Sequence, residues 1–508
     1  MTRAMLVPPQ LAKEVRALAP AWAACLCVVG ASAVIRDSRL IGLALLAYGL
    51  GSIALGAQSM GHEYSSRTLG MLLAQPSERR RILLVKFAVL ASMLVTLTLL
   101  AWAVFLRPDE IVRYNVRPEI WRGSSTLLLA VPLSLFVAPF LTMLCRGPLA
   151  GMVFTVGAPG LLLIAGDLIG LQRYGLDGGA LIDAFKLKVL WWGTIAGSAI
   201  AALASWRMFM RLEAIDGRGS DLSMDWLYGH PPDETHPAAA VRVRHPVWLL
   251  VNKELRLQQM TFVVAGLYVL SWTGVSLLRA YRPDFPEVPL ASLGVLYCVL
   301  LAGLIASLAS AEERQLGTIE WQMLLPMPAW QQWSIKVGTV LALMVVLGIG
   351  LPVGLWYLNP SAAELRLPAR AWREIMVVLV WLTTSSLYIS SLSGSGVKAA
   401  VFNIPALFGT VLFVRASIAV AYWIPPLPVG AAGSGWRVFP QTWTTVLTPA
   451  ALALTLTLAA LALRFAFENH RSAERSRRRV FGQLAWLGSA LGAGILILSW
   501  IDRAMYIR

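Results

Sequence analysis

Thirteen long apolar runs constrain this chain more than any other feature of its sequence. An α-helix needs about 20 residues to cross about 30 Å of hydrocarbon, and each run approaches that length. Backbone groups in lipid must be satisfied within the chain, and the alternating pattern of membrane strands is absent, so helices are predicted. The runs are 17–35, 40–60, 83–106, 123–145, 149–171, 187–207, 261–280, 289–310, 333–358, 374–393, 398–423, 442–466 and 481–501.

The composition also indicates an all-α, polytopic membrane helical bundle. Of 508 residues, 57% are hydrophobic and 14% are charged, whereas soluble domains carry about 25% charged residues. The net charge is +16, but the basic residues lie in short loops between apolar runs. Because no separate basic domain is present, we expect lipid contact and no nucleic-acid partner.

The distribution of Lys and Arg predicts a cytoplasmic N-terminus in a bacterial inner membrane, with multiple crossings. The strongest signal is the cluster Arg477-Arg478-Arg479, although the predicted outer loop 107–122 also carries four arginines. The first apolar run resembles a signal peptide. We expect it to be retained, because the segment before it reappears in the middle of the chain. The predicted cytoplasmic segments are 61–82, 211–256, 311–332 and 467–480.

The chain divides into two similar halves. Prolines and glycines interrupt the polar stretch 211–244, which is predicted to be a cytoplasmic linker. Two repeated six-helix units and an additional C-terminal span are therefore expected. The predicted domains are 1–210 for the first unit, 211–244 for the linker, 245–470 for the second unit, and 471–508 for a basic segment with the extra span.

A charged segment precedes the first span of each half. Residues 11–16 read Leu-Ala-Lys-Glu-Val-Arg, and residues 251–256 read Val-Asn-Lys-Glu-Leu-Arg. Such a pattern suits an amphipathic helix in the membrane interface, with its charges toward water. The charged residues assigned to these helices are Lys13, Glu14, Lys253 and Glu254.

A second match follows the second span of each half and indicates an internal duplication. Both loops combine charge with leucine and methionine, so each is predicted to form a short amphipathic helix ended by proline. Such a helix either lies on the membrane surface or docks on another protein. The residues that coincide at one constant offset are Glu63 with Glu313, Thr68 with Thr318, Pro76 with Pro326, and Lys86 with Lys336.

This loop pattern resembles the ABC-2-type transporter permeases. The resemblance implies that each loop is a coupling helix that contacts a separate ATP-binding subunit, itself a dimer. The first half departs from the family pattern, since Arg67 replaces the glycine before Thr68 and Gly70 stands where the second half has Glu320. Whether both loops couple equally therefore stays open. The coupling residues implied are Glu63, Thr68, Leu72, Leu73, Pro76, Glu313, Thr318, Glu320, Leu324, Leu325 and Pro326.

The resemblance also implies the permease subunit of an ATP-driven exporter with an unknown substrate. No phosphate-binding loop occurs, so ATP hydrolysis would belong to another chain. We expect no enzyme activity, catalytic residue, cofactor or metal in this chain. A histidine-containing segment at 230–236 is interpreted as a solvated linker, since its two prolines give no fixed ligand geometry.

Other functions stay possible at this point. An ion-gradient-driven transporter would need buried charges in the middle of the membrane. A membrane glycosyltransferase would need an acidic outer site, for which Asp109 and Glu110 are weak candidates. Asp167 is either close to the outer interface or functional. The polar face at 383–386 either packs against neighbouring helices or lines a pathway.

Overall fold

A computed structural model describes most of the chain as helix. Helices account for 95% of the described residues, which contain no strand. Thirteen helices among them are long and apolar enough to cross a membrane, which confirms the predicted all-α polytopic bundle. The described residues are 9–35, 38–66, 68–74, 78–105, 125–175, 179–211, 246–281, 288–318, 324, 326–358, 369–423, 440–472 and 476–506.

Fifteen helices are labelled in chain order within the described residues. α5, at 125–145, contains a π-helical turn at Leu133–Val137, and α11, Ala329–Leu358, contains another at Met344–Gly350. The other helices of the first 281 residues are α1 Pro9–Ile35, α2 Ser38–Ser65, α3 Leu69–Leu73, α4 Arg79–Phe105, α6 Pro148–Tyr174, α7 Gly179–Arg211, α8 Pro246–Leu257 and α9 Gln259–Tyr281. After them come α10 Val288–Leu316, α11 Ala329–Leu358, α12 Ala369–Leu392, α13 Gly396–Trp423, α14 Pro440–His470 and α15 Arg477–Tyr506.

The first compact unit comprises Met1–Tyr297. In it α2 is central, packing against α1, α4, α5 and α6. Glycines let α2 approach its neighbours closely: a Cβ on Gly56 would lie 2.0 Å from the Ser134 carbonyl oxygen, and one on Gly61 would lie 2.2 Å from Pro148. Small residues at helix contacts are how membrane helices gain van der Waals packing.

The second compact unit comprises Cys298–Arg508. In it α12 packs against α13 and α14, and the additional helix α15 packs against the same two helices. The side chains of Asn469 on α14 and Gln483 on α15 exchange hydrogen bonds of 3.1 and 3.3 Å, and Tyr388 donates to Gln483 at 3.3 Å. These buried polar contacts hold the start of α15 against the end of α14.

The two charged segments fold differently. Residues 251–256 lie in the separate helix α8, and only Gln258 lies between the end of α8 and the start of α9. Residues 11–16 instead form the start of α1, which runs without interruption from Pro9 to Ile35. Of the predicted linker 211–244, only Arg211 falls within the described residues.

Candidate functional site

Three helices of the first unit bring charged side chains together beside the first loop. Glu14 lies near the start of α1, Glu63 in the last turn of α2, and Lys86 two turns into α4. All three side chains are almost completely buried. Charge at such positions must be paired, since an isolated buried ion is strongly unfavourable.

Lys86 joins the three helices. Its ammonium lies 2.7 Å from Glu14 Oε1 and 3.2 Å from Glu63 Oε1, and it donates to the Ser59 carbonyl oxygen at 3.3 Å. Lys13, which is partly exposed, lies 2.8 Å from Glu63 Oε1. We call Lys13, Glu14, His62, Glu63 and Lys86 the first ion cluster.

The first loop is attached to this cluster by Thr68. The Thr68 hydroxyl donates a hydrogen bond to Glu63 Oε2, and the Thr68 amide donates to the Glu63 carbonyl oxygen at 3.0 Å. The short helix α3 begins at Leu69, directly after the threonine. A short helix is therefore present in the first loop, but its five residues, Leu69–Leu73, carry no polar side chain, so its amphipathic character stays a prediction. Its starting position is set by the same glutamate that pairs with Lys86.

The second unit contains the equivalent pair. The Lys336 ammonium lies 2.8 Å from Glu313 Oε2, and both side chains are completely buried. Lys336 donates to the Ala309 carbonyl oxygen at 2.6 Å, as Lys86 does to Ser59 at the same sequence separation. Thr318 donates to the Glu313 carbonyl oxygen at 3.3 Å. The glutamate, threonine and lysine of the sequence repeat thus form related arrangements in both units.

The apolar residues of the first loop divide between the core and the surface. Leu72 is buried in a cluster that includes Met60, Leu83 and Phe209. Met71, by contrast, is 75% exposed, and Leu73 is half-buried. The loop therefore presents one large apolar side chain while another fixes it to the unit.

The second loop is described only in part. Leu324 is 76% exposed and Pro326 is exposed, so this loop also presents an apolar side chain. The predicted coupling residues Pro76, Glu320 and Leu325 lie outside the described residues. In the segment before the second half, Glu254 is buried and lies 4.0 Å from Lys253.

His62 is the residue of this site that the sequence analysis missed. Its Nε2 lies 3.1 Å from Glu63 Oε1 and 3.7 Å from Glu14 Oε2. The sequence offered one signal for His62, because it stands next to a glutamate of the repeat at the end of an apolar run. At the corresponding position the second half has Glu312.

Glu14, His62 and Glu63 offer one ligand atom each within 4.8 Å of one another, the spacing of a metal site. The ammonium groups of Lys13 and Lys86 already neutralise the two carboxylates. A divalent cation would therefore add its charge beside two existing positive charges. This argues against a metal centre here.

Two other polar features have structural roles. Asp167, which is buried, lies 3.2 Å from Lys186 on the adjacent helix, so its charge is paired. The hydroxyls of Thr383, Thr384 and Ser385 donate to carbonyl oxygens of their own helix α12. Ser390 bridges helices instead, accepting from the amides of Ser310 and Ala311 at 3.0 and 2.9 Å.

The fold defines a multi-pass helical membrane protein. No family model, curated protein or solved structure matches the chain. A more specific function therefore has to be argued from the two repeated sites.

Proposed function

We propose that this chain is the permease subunit of an ATP-binding-cassette exporter, coupled to a separate ATP-binding subunit. The observation that carries the proposal is the repeated arrangement at the base of both loops. In each, a glutamate at the end of one membrane-spanning helix pairs with a lysine of the next membrane-spanning helix. The same glutamate contacts the threonine of the loop between them. A partner composed of two identical subunits suits this repeat, because each subunit would bind one of the two loops.

The proposed mechanism uses the first ion cluster as a rigid connection. A push on α3 is carried through Thr68 to Glu63, and through Lys86 to α1 and α4. ATP binding can shift the permease only if the ATP-binding subunit interacts differently with its two conformations. In the proposed mechanism, the two loops provide this difference in interaction with the ATP-binding subunit. Glu63 and Glu313 act in this scheme as internal supports, because both are buried.

The contact with the ATP-binding subunit is assigned to the exposed apolar side chains. Met71 and Leu324 are large apolar side chains, and each is exposed in its loop. Apolar side chains on a short helix are a common way to fill a groove in a partner. The proposed orientation places both loops in the cytoplasm. The exposed arginines Arg80, Arg81, Arg477 and Arg478 support it.

Crosslinking after gentle solubilisation tests the proposal. Single cysteines at Met71 and Leu324 are expected to form crosslinks to a co-purifying ATPase. The matched control is Leu181→Cys, which is 59% exposed at the start of α7 and on the outer side in the proposed orientation. If no ATPase co-purifies, or if Leu181→Cys crosslinks equally well, the proposal fails.

An ion-gradient-driven transporter is the second candidate, favoured by the five titratable groups of the first ion cluster. Ion-coupling sites in such proteins lie near the bilayer midplane. Glu63 lies in the last turn of α2 and Glu14 near the start of α1, so the cluster lies at helix ends. Transport that persists after deletion of every associated ATPase would select this candidate.

A further inference from the structure

A side chain of α12 reaches into the backbone hydrogen bonds of α10. The Ser390 hydroxyl accepts from the amides of Ser310 and Ala311 at 3.0 and 2.9 Å, and it donates to the Ser307 carbonyl oxygen at 2.7 Å. In an α-helix the amide of residue 311 bonds directly to the carbonyl of residue 307. The hydroxyl therefore lies between two backbone groups that the helix would otherwise join to each other.

The surroundings of this hydroxyl are buried. The side chains of Ser307, Ser310 and Ser390 have almost no exposed surface, so backbone groups here need partners within the protein. Asn403 on α13 donates to Ser307 Oγ at 2.7 Å, and Ser307 Oγ donates to the Gly303 carbonyl oxygen at 2.5 Å. Both α12 and α13 are thus attached to α10 at residue 307.

The two amides have a second set of partners close by. They can bond to Ser390, as observed, or to the carbonyls of Ala306 and Ser307 four residues earlier in α10. The first arrangement places a side chain in the hydrogen-bond ladder, which is an established cause of helix bending. The second arrangement is that of a straight helix.

The Ser390 hydroxyl also has a partner in the second arrangement. It can donate to the Ser386 carbonyl oxygen of its own helix, as the hydroxyls of Thr383 and Thr384 do toward carbonyls four residues earlier. Neither arrangement therefore carries the cost of an unpaired buried amide. Two states of similar free energy are both populated.

We propose that Ser390 is a positioning residue that allows the end of α10 to bend and thereby sets the position of the second loop. Residues 307–311 are the α10 hinge. Glu313 lies two residues beyond it and contacts Thr318 of the loop. That an ATP-binding subunit selects one of the two states rests on the proposed function, whereas the bend itself does not.

The contacts of Lys336 determine which elements move together. Its ammonium holds the Ala309 carbonyl oxygen at 2.6 Å and the Glu313 carboxylate at 2.8 Å. The start of α11 therefore follows the end of α10 when the hinge bends. The other side of the hinge is fixed to α12 and α13 by Ser390 and Asn403.

The duplication assigns this hinge to the second half. At the offset of the repeat, the first half has Ala57, Met60 and Gly61 in place of the two serines and Ala311. Gly61 instead allows α2 to approach Pro148 closely. The two loops are therefore expected to differ in how far each moves relative to its own unit.

Distances between spin labels in lipid nanodiscs test the inference without any ATPase. The four native cysteines are replaced by alanine, and labels are attached to Leu316→Cys at the end of α10 and Leu456→Cys on α14, both exposed positions. Pulsed electron paramagnetic resonance is expected to show two distance populations. Ser390→Ala leaves both amides unpaired in the bent state, so the population of that state falls about tenfold or more.

Two further variants separate the hinge from a general packing role. Ser390→Thr keeps the hydroxyl and is expected to keep both populations. Ser385→Ala is the matched control, because that hydroxyl donates to the Leu382 carbonyl oxygen of its own helix, and it is also expected to keep both. A single population in the parent protein, two populations in Ser390→Ala, or loss of one in Ser385→Ala would overturn the inference.

A thiol variant decides the question if Ser390→Ala does not fold. A thiol is a weak donor and a weak acceptor, so Ser390→Cys, left unlabelled because the site is buried, is expected to lower the bent population. Unchanged populations in that variant would overturn the role of the hydroxyl. Failure to capture an ATPase would affect only the proposed function.

Discussion

The Lys336 ammonium lies 2.8 Å from the Glu313 carboxylate, and neither side chain is accessible to solvent. The pair joins α10 to α11 within the second unit, as Glu63 and Lys86 join α2 to α4 in the first. Removing one partner of a buried pair leaves an uncompensated charge, whereas replacing both can be nearly neutral.

Lys336→Met is therefore expected to destabilise the second unit by about 3–5 kcal/mol. The measurement is thermal unfolding in detergent, with Lys398→Met as the matched control, since Lys398 is exposed. The double variant Glu313→Leu/Lys336→Met should recover most of the lost stability. A double variant no more stable than Lys336→Met would contradict the pairing as the cause.

Gly56→Ala is expected to destabilise the first unit, because its new methyl carbon would meet the Ser134 carbonyl oxygen at 2.0 Å. Backbone cannot move aside as a flexible side chain does, so an overpacking cost of about 1–3 kcal/mol is expected. Thermal unfolding measures it. Gly42→Ala on the same helix is the control, since no atom lies within 4 Å of the added carbon. Equal stability of the two variants would argue against the close helix approach.

Gln483→Leu is expected to loosen the attachment of α15 to α14. The substitution removes the two hydrogen bonds between the side chains of Gln483 and Asn469. Because the Asn469 amide is buried, losing them costs about 1–3 kcal/mol of stability. Hydrogen exchange of the first turns of α15 measures the effect. Phe481→Leu, at a position that is 72% exposed, provides the control. Unchanged protection in Gln483→Leu would show that other contacts hold the helix.

Met71→Asp and Leu324→Asp are expected to lower stimulation of the partner ATPase while membrane insertion stays normal. Both side chains are exposed, so the new charge costs the fold little but opposes docking in an apolar groove. ATPase activity with and without the permease is the measurement, and Leu181→Asp is the control. If both loop variants still stimulate the ATPase fully, Met71 and Leu324 do not form the contact assigned to them.

The sequence predicted the helices well and the chemistry of the repeat less completely. Every predicted span corresponds to a candidate membrane helix, because an apolar run of sufficient length has few other stable structures. The repeat positions Glu63, Thr68 and Lys86 were identified by their constant offset. Their mutual contacts were not, because the pair Glu63–Lys86 is separated by a loop and helical periodicity relates only residues on one helix.

Two further features depended on tertiary packing. The start of α1 matches the charged segment of the second half, yet Glu14 turns inward to Lys86 and the helix continues into the span. His62 gained its environment from α1, which is distant in sequence. Neither environment could be deduced from an amphipathic pattern, since that pattern gives the character of a helix face and not the partner of each residue.

The glycine contacts of α2 bear on how the first unit of the proposed permease would move. At Gly56 and Gly61 α2 contributes no layer of side chains to the contact, because an added Cβ would lie 2.0 Å from the Ser134 carbonyl oxygen and 2.2 Å from the Pro148 Cβ. Sliding in packed proteins takes place across such layers. For the proposed permease, α2, α5 and the start of α6 are therefore expected to move together, and an opening for cargo is expected along another helix boundary of the first unit.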